Sequence, residues 1–112
     1  MQAKIPMFIT TKDLPDFDLV EGYKAKMLHT NQLSVMHVTV KAGHALPEHH
    51  HPHEQITNII EGEFEMTVDG VTKICKAGDV VVIGGDKPHA GRALTDCRII
   101  DVFNPPREDY QK

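Results

Sequence analysis

The sequence predicts an all-β domain built as a sandwich or barrel. Three observations carry this. Short runs rich in Val, Ile, Thr and Phe recur along the chain, punctuated by Gly, Pro, Asn and Asp. No stretch sustains a helical apolar period. With 112 residues, 40% of them apolar, the chain is sized for one modest core.

The elements follow in order. Residues 1–21 read as an N-terminal arm with Pro6, Pro15 and an acidic run from Asp13 to Asp18. One short strand is expected in it, at Met7–Thr10, and such an arm is free to cross to a partner subunit. Residues 22–112 form a single barrel domain. Tyr23–Leu28 and Leu33–Lys41 read as strands, and Gly43 and Pro47 mark a bend. Gln55–Ile60 is a strand stopped at Gly62. Glu63–Val68 and Val71–Cys75 flank Asp69-Gly70, a hairpin signal. Val80–Ile83 has the continuous apolar text of a buried strand, and His89–Ala93 and Arg98–Phe103 complete the set. Edge strands need cover, so a homodimer that joins sheets is expected.

Composition removes several function classes. Lys plus Arg is 12 and Asp plus Glu is 16, a formal charge of −4, without the basic stripe of a nucleic-acid protein. No apolar run approaches the roughly 18 residues of a membrane span, and residues 1–13 lack a signal-peptide core. Cys75 and Cys97 are too few for a disulfide framework and sit in apolar text, as small buried hydrophobes do. Free thiols without a leader point to the cytoplasm.

Histidine is the outlier, with eight residues, five of them between His44 and His53. In an extended strand, alternate residues share a face. His49, His51, His53 and Gln55 then have one parity, His50 and Glu54 the other. Imidazoles two apart on a strand can converge on one ion, whereas a solvated His-rich loop would bind metal only incidentally. Parity sends His50 to the surface. His53 is a lesser contact to the site, because Pro52 interrupts the alternation. His29, His37 and His44 read as exposed or cross-strand residues, with His44 near a barrel mouth.

Near the C-terminus, Ile99, Asp101 and Phe103 share a face. If it points inward, Asp101 is a carboxyl group in an apolar lining, a setting that raises its pKa and suits acid–base work. The alternative is a plain ion pair with Arg92 or Arg107. Arg107 follows the rigid Pro105-Pro106 pair, and its guanidinium could hold a substrate carboxylate or form a surface ion pair.

The spacings G43-x5-H49-x-H51-x3-Q55-x6-G62 and G78-x10-H89 resemble the two motifs of the cupin superfamily. The first departs only in having Gln55 for Glu. The second has Gly84 for Pro, Asp86 for Gly and Ala93 for Asn. The resemblance implies a double-stranded β-helix, or jelly-roll barrel, with His49, His51, Gln55 and His89 as ligands of one divalent metal ion, whether zinc, nickel, iron or manganese. A neutral Gln oxygen leaves the ion's charge undiminished, which suits a Lewis acid better than a redox iron.

The text HHHPHEQ, followed by Gly62 and closed by DVFNPPREDY, is similar to the pectin-degradation (KdgF-like) cupins. That resemblance spans roughly Gly22 to Tyr110. It implies an enzyme that converts unsaturated monouronates, small sugar acids released by pectate and alginate lyases, into linear keto sugars. The family's D-x-F-x-x-x-R pattern falls on Asp101, Phe103 and Arg107 as catalytic residues. Two departures lie near the pocket: Thr57-Asn58-Ile59 lacks the usual Tyr, and Gly84-Gly85-Asp86 replaces a Pro-Pro-type turn. An iron-dependent dioxygenase and a non-catalytic sugar- or metal-binding cupin are the alternatives. Oxygen uptake marks the first, and tight binding without turnover the second.

Overall fold

Alternating apolar and polar residues along Ser34–Val40, Glu54–Glu61 and Cys97–Asn104 give each of these strands one buried face. A computed structural model of the chain describes residues 5–110 and folds such runs into two antiparallel sheets. The strands are β1 Asp16–Val20, β2 Tyr23–His29, β3 Ser34–Val40, β4 Ala45–His49 and β5 Glu54–Glu61, then β6 Glu63–Val68, β7 Val71–Lys76, β8 Val80–Ile83, β9 His89–Ala93 and β10 Cys97–Asn104. One sheet has the order β1-β2-β3-β10-β5-β8, the other β4-β9-β6-β7. Facing each other, they form a jelly-roll barrel.

The inward residues of both sheets fill the space between them. Val38, Ile59, Phe64, Met66, Ile83, Ile99 and Phe103 are all buried in one cluster. Asp69-Gly70 forms the expected hairpin turn between β6 and β7. Both residues have positive φ, 51° and 82°, as a type I′ turn requires. Gly62 has φ 90°, and an added Cβ would run into the Asp96 carbonyl oxygen. Cys75 and Cys97 are unpaired and buried. No helix among the described residues is long and apolar enough to cross a membrane.

Three expectations are corrected. Met7–Thr10 forms no strand; instead Asp16–Val20, inside the expected arm, pairs with β2. Ala45–His49 is a strand rather than a bend, because β9 pairs with it on both sides of Pro47, with a register shift between Leu46 and His49. Val80–Ile83 is not buried throughout. It pairs only with β5, at a sheet edge, and Val80 and Val82 face outward and are exposed.

Candidate metal centre and active site

The two sheets bring their functional side chains together at one end of the barrel. His49 on β4 and His89 on β9 are cross-strand partners. His51 lies in the β4–β5 connection. Gln55 and Thr57 on β5, and Asp101 and Phe103 on β10, point inward from the opposite sheet. The expected parity holds through Pro52: His51 and Gln55 are buried and His50 is exposed, 3.5 Å from Asp86.

The three imidazoles form one group. Their ring centroids are 4.3 Å apart for His49–His89, 4.9 Å for His51–His89 and 5.9 Å for His49–His51. One nitrogen from each lies within 4.8 Å of the others. The other nitrogen is fixed on backbone: Nδ1 of His49 on the Pro47 carbonyl at 2.8 Å, of His51 on His53 at 3.1 Å, of His89 on Lys87 at 2.8 Å. A carbonyl only accepts, so each Nδ1 must carry the proton and each Nε2 a lone pair. This backbone anchoring is how metal-binding histidines are oriented.

Two further observations test the fit of a cation. His89 Nε2 is buried with no hydrogen-bond partner. His51 Nε2 lies 3.0 Å from Gln55 Oε1, while the Gln55 amide nitrogen donates to Thr57 Oγ1 at 2.9 Å. Two acceptors therefore face each other. Protonating His51 would resolve the conflict, but burial first, then the charges of Arg107 and His89, push its pKa down to about 4. Burial likewise lowers His89, with His49 adding to it. A divalent cation satisfies every lone pair at once, so His49, His51 and His89, with the Gln55 oxygen beside them, fit a metal ion.

Beside this group runs a buried polar chain. Gln55 donates to Thr57, and Thr57 donates to Asp101 Oδ1 at 2.6 Å. Asp101 is buried among Ile99, Phe103 and Met36. Burial raises its pKa to about 6, and the bonds from Thr57 and Gln55, with the Arg107 charge, offset part of that rise. Neither Arg92 nor Arg107 forms an ion pair with it.

Arg107 is also buried. Its backbone nitrogen donates to Ser34 Oγ at 2.8 Å, and its guanidinium lies 4.8 Å from the Phe103 ring centroid and 4.2 Å from that of Tyr110. Asp109 takes the Nε–Nη2 edge, at 3.0 and 2.7 Å, and is itself held below the usual carboxylate range by that contact. The edge toward Nη1 is left for another partner.

A cavity of about 310 Å³ opens over these groups, lined by His49, Gln55, Asp101, Phe103 and Arg107. That is the lower end of the volumes that hold small ligands. His53 packs behind His51, its ring centroid 5.3 Å away and 6.5 Å from Phe103. His44 lies outside, against Gly22. His29 bonds Ser34 across the strand pair. Sequence reasoning missed Thr57, Asp109 and Tyr110. Only the shared parity of Thr57 with Gln55, and the closeness of Asp109 to Arg107, signalled two of them.

Comparison with known proteins agrees with this architecture. The family described as a cupin domain matches residues 36–103, more than half of the chain. The chain belongs to the cupin family. It is 29% identical over 102 residues to the pectin degradation protein KdgF of Dickeya dadantii (strain 3937), covering 88% of this cupin and 92% of that protein. Among solved structures, an RmlC-like cupin from Shewanella frigidimarina superposes with a TM-score of 0.90 at 30% identity, covering 96% of this chain and 97% of that one. KdgF from Halomonas sp. superposes with a TM-score of 0.88 at 28% identity, covering 96% and 100%.

Proposed function

We propose that this cupin is a metal-dependent enzyme that opens the ring of unsaturated monouronates, as released from pectin and alginate, and yields the linear keto sugar. The observation that carries the reading is the buried Asp101, raised to about 6, sharing one cavity with an oriented Arg107, with Gln55 and with His49 of the histidine group. The likeness to pectin degradation protein KdgF over most of the chain supports the substrate class.

The substrate offers a carboxylate, an enol-ether double bond and a hemiacetal hydroxyl. In the reaction the hydroxyl loses a proton and the ring carbon–oxygen bond breaks. The freed enol then becomes a ketone by gaining a proton on carbon. Composition is unchanged, so no oxidant is needed. Asp101, with a pKa near the working range, takes the hydroxyl proton on its carboxylate and returns one to carbon. Arg107, stacked between Phe103 and Tyr110, presents its Nη1 side to the substrate carboxylate. Phe103 gives the ring an apolar wall. His49, His51, His89 and Gln55 would hold the divalent ion, which supplies Lewis-acid stabilisation of negative charge developing on oxygen.

The test is the loss of ultraviolet absorbance of unsaturated galacturonate, with wild-type protein against a His49→Ala/His51→Ala variant. Faster loss that needs the histidines is expected. A rate equal to that of the variant, or oxygen uptake on an aromatic substrate instead, overturns the reading.

A further inference from the structure

Arg107 lies past the end of β10, on irregular chain outside both sheets. A side chain on such a segment keeps one direction only where its neighbours hold it there. Phe103, on β10, supports the guanidinium from the sheet. Its other aromatic neighbour, Tyr110, has no strand beneath it. Tyr110 ends the short 3-10 turn Glu108–Tyr110, whose backbone closes on the Arg107 carbonyl at 3.1 Å. Something else must fix that ring.

Phe17 does so from the far end of the chain. It stands on β1 opposite Ala25, a small buried residue that leaves room for a ring on the inner face. The Phe17 and Tyr110 centroids are 5.1 Å apart, with the planes tilted by 56°. That lies within the separation of about 4.5–7 Å at which aromatic pairs attract. Both rings pack against the core. Just ahead of Phe17, Lys26 pins β1 by bonding the Leu14 carbonyl at 2.9 Å and the Asp16 carboxylate at 2.9 Å. Phe17, Tyr110, Arg107 and Phe103 thus form a continuous stack, with β1 at one end and β10 at the other. Leu19, Val20 and Tyr110 line the cavity over Asp101, whereas Phe17 does not.

We propose that Phe17 is a positioning residue, which acts through Tyr110 to aim the Arg107 guanidinium into the cavity. This rests on the reading of Arg107 as the group that takes the substrate carboxylate. Because Phe17 itself stays outside the cavity, its influence on substrate runs through Arg107.

The test first follows Arg107 without substrate, as the Nε–Hε resonance of its guanidinium, assigned by its loss in Arg107→Lys. In Phe17→Ala this resonance should broaden and move toward that of free arginine. In Phe17→Tyr, which keeps the ring, it should stay. With unsaturated galacturonate, KM for Phe17→Ala should rise about threefold or more while kcat stays within about twofold. In an Arg107→Lys background the same change should leave KM where Arg107→Lys alone puts it, because the two act as one unit. Gly62→Ala, a strained variant with the stack intact, should keep the wild-type KM, which separates positioning from a general loss of stability. If Phe17→Ala does not fold, Phe17→Leu is measured in its place with the same results expected. An unchanged Arg107 resonance, or a KM equal to wild type, overturns the proposal. So does a KM effect of full size in the Arg107→Lys background. A wild type that opens no uronate ring overturns the reading of the site instead, and the resonance alone then decides whether Phe17 orients Arg107.

Discussion

Thr57 and Asp101 are directly paired across β5 and β10, and the Thr57 hydroxyl donates to Asp101 Oδ1 at 2.6 Å. Thr57 also accepts from the Gln55 amide. One buried hydroxyl therefore links a carboxyl group available for acid–base work to a side chain beside the histidine group. Its position in the register fixes both contacts, so Asp101 and Gln55 are set by one strand pair, β5 and β10.

Asp101→Asn should separate stability from activity. Burial raises the folded-state pKa of Asp101 to about 6 from the ordinary 3.8 of an exposed carboxyl. A folded pKa above the unfolded one stabilises below pH 3.8, and that stability is lost as pH rises through about 6. At pH 7.5 the ionised group then costs up to about 3 kcal/mol. Asn keeps an acceptor for Thr57 and carries no charge. The variant should melt several degrees above wild type at pH 7.5 and match it near pH 4, while ring opening falls at least about a hundredfold. Equal melting at pH 7.5, or retained activity, counts against a buried acid–base Asp101.

Thr57→Val removes the donor to Asp101 and the acceptor for Gln55 at nearly constant volume. Each buried group left unpaired costs about 1–3 kcal/mol. Ring opening should fall by an order of magnitude or more, and metal affinity should weaken because Gln55 is released. Thr57→Ser restores the hydroxyl and should recover both. A serine variant as poor as valine would mean that the methyl packing, not the hydroxyl, matters.

The strand pattern was legible because alternation and turn chemistry act locally. Asp69-Gly70 dictates its hairpin alone, and the eight strand runs from Tyr23 to Phe103 formed with boundaries moved by a residue or two. β4 was hidden because Pro47 and two exposed residues mask its pairing with β9, which is a long-range fact. The exposure of Val80 and Val82 was hidden for a related reason: an apolar run reads the same whether two sheets cover it or only one does. The inward set His49, His51 and Gln55 follows from parity. The Nδ1 anchors on Pro47, His53 and Lys87, and the clamp of Asp109 on Arg107, depend on backbone paths that composition does not encode.

Arg107→Lys should act on substrate binding more than on turnover. Lysine keeps a charge but loses the planar stack on Phe103 and Tyr110 and the two-point contact with Asp109. KM should rise roughly tenfold or more, with kcat changed less. Asp109→Asn should move KM the same way by a smaller amount, because the guanidinium keeps its aromatic neighbours. An unchanged KM in both variants would remove Arg107 from substrate binding.

Gly62→Ala tests the closing glycine of the first histidine motif as a structural element. The residue has φ 90°, and a Cβ there would strike the Asp96 carbonyl oxygen and crowd Thr95 and Cys97. Strain of this kind costs about 1–3 kcal/mol, so the melting temperature should drop by several degrees. Metal stoichiometry should stay as in wild type, because Gly62 lies away from the histidine group. Loss of metal without loss of stability would assign the glycine to the site instead.

Metal removal gives the final expectation. His51 and His89 have folded-state pKa values below the ordinary imidazole, His51 at about 4. Neutral imidazole binds metal, so protons at these two residues compete for the ion only below the ordinary imidazole range. Proton competition at His51 and His89 should therefore add nothing to the pH dependence of zinc affinity between about pH 7 and 8, as measured by titration calorimetry. A depressed pKa in a histidine also means that stability is held above the unfolded value of 6.5 and lost as pH falls through the folded value. In the Asp101→Asn variant, which lacks the opposite pH dependence of the carboxyl, the chelator-treated protein should accordingly lose melting temperature between pH 6.5 and 4. Added metal should raise it, through about 2.7 kcal/mol of added stability at a hundredfold excess over Kd. His51→Ala should abolish the metal response and flatten the acid slope together. A response that survives this substitution would place the ion elsewhere on the chain.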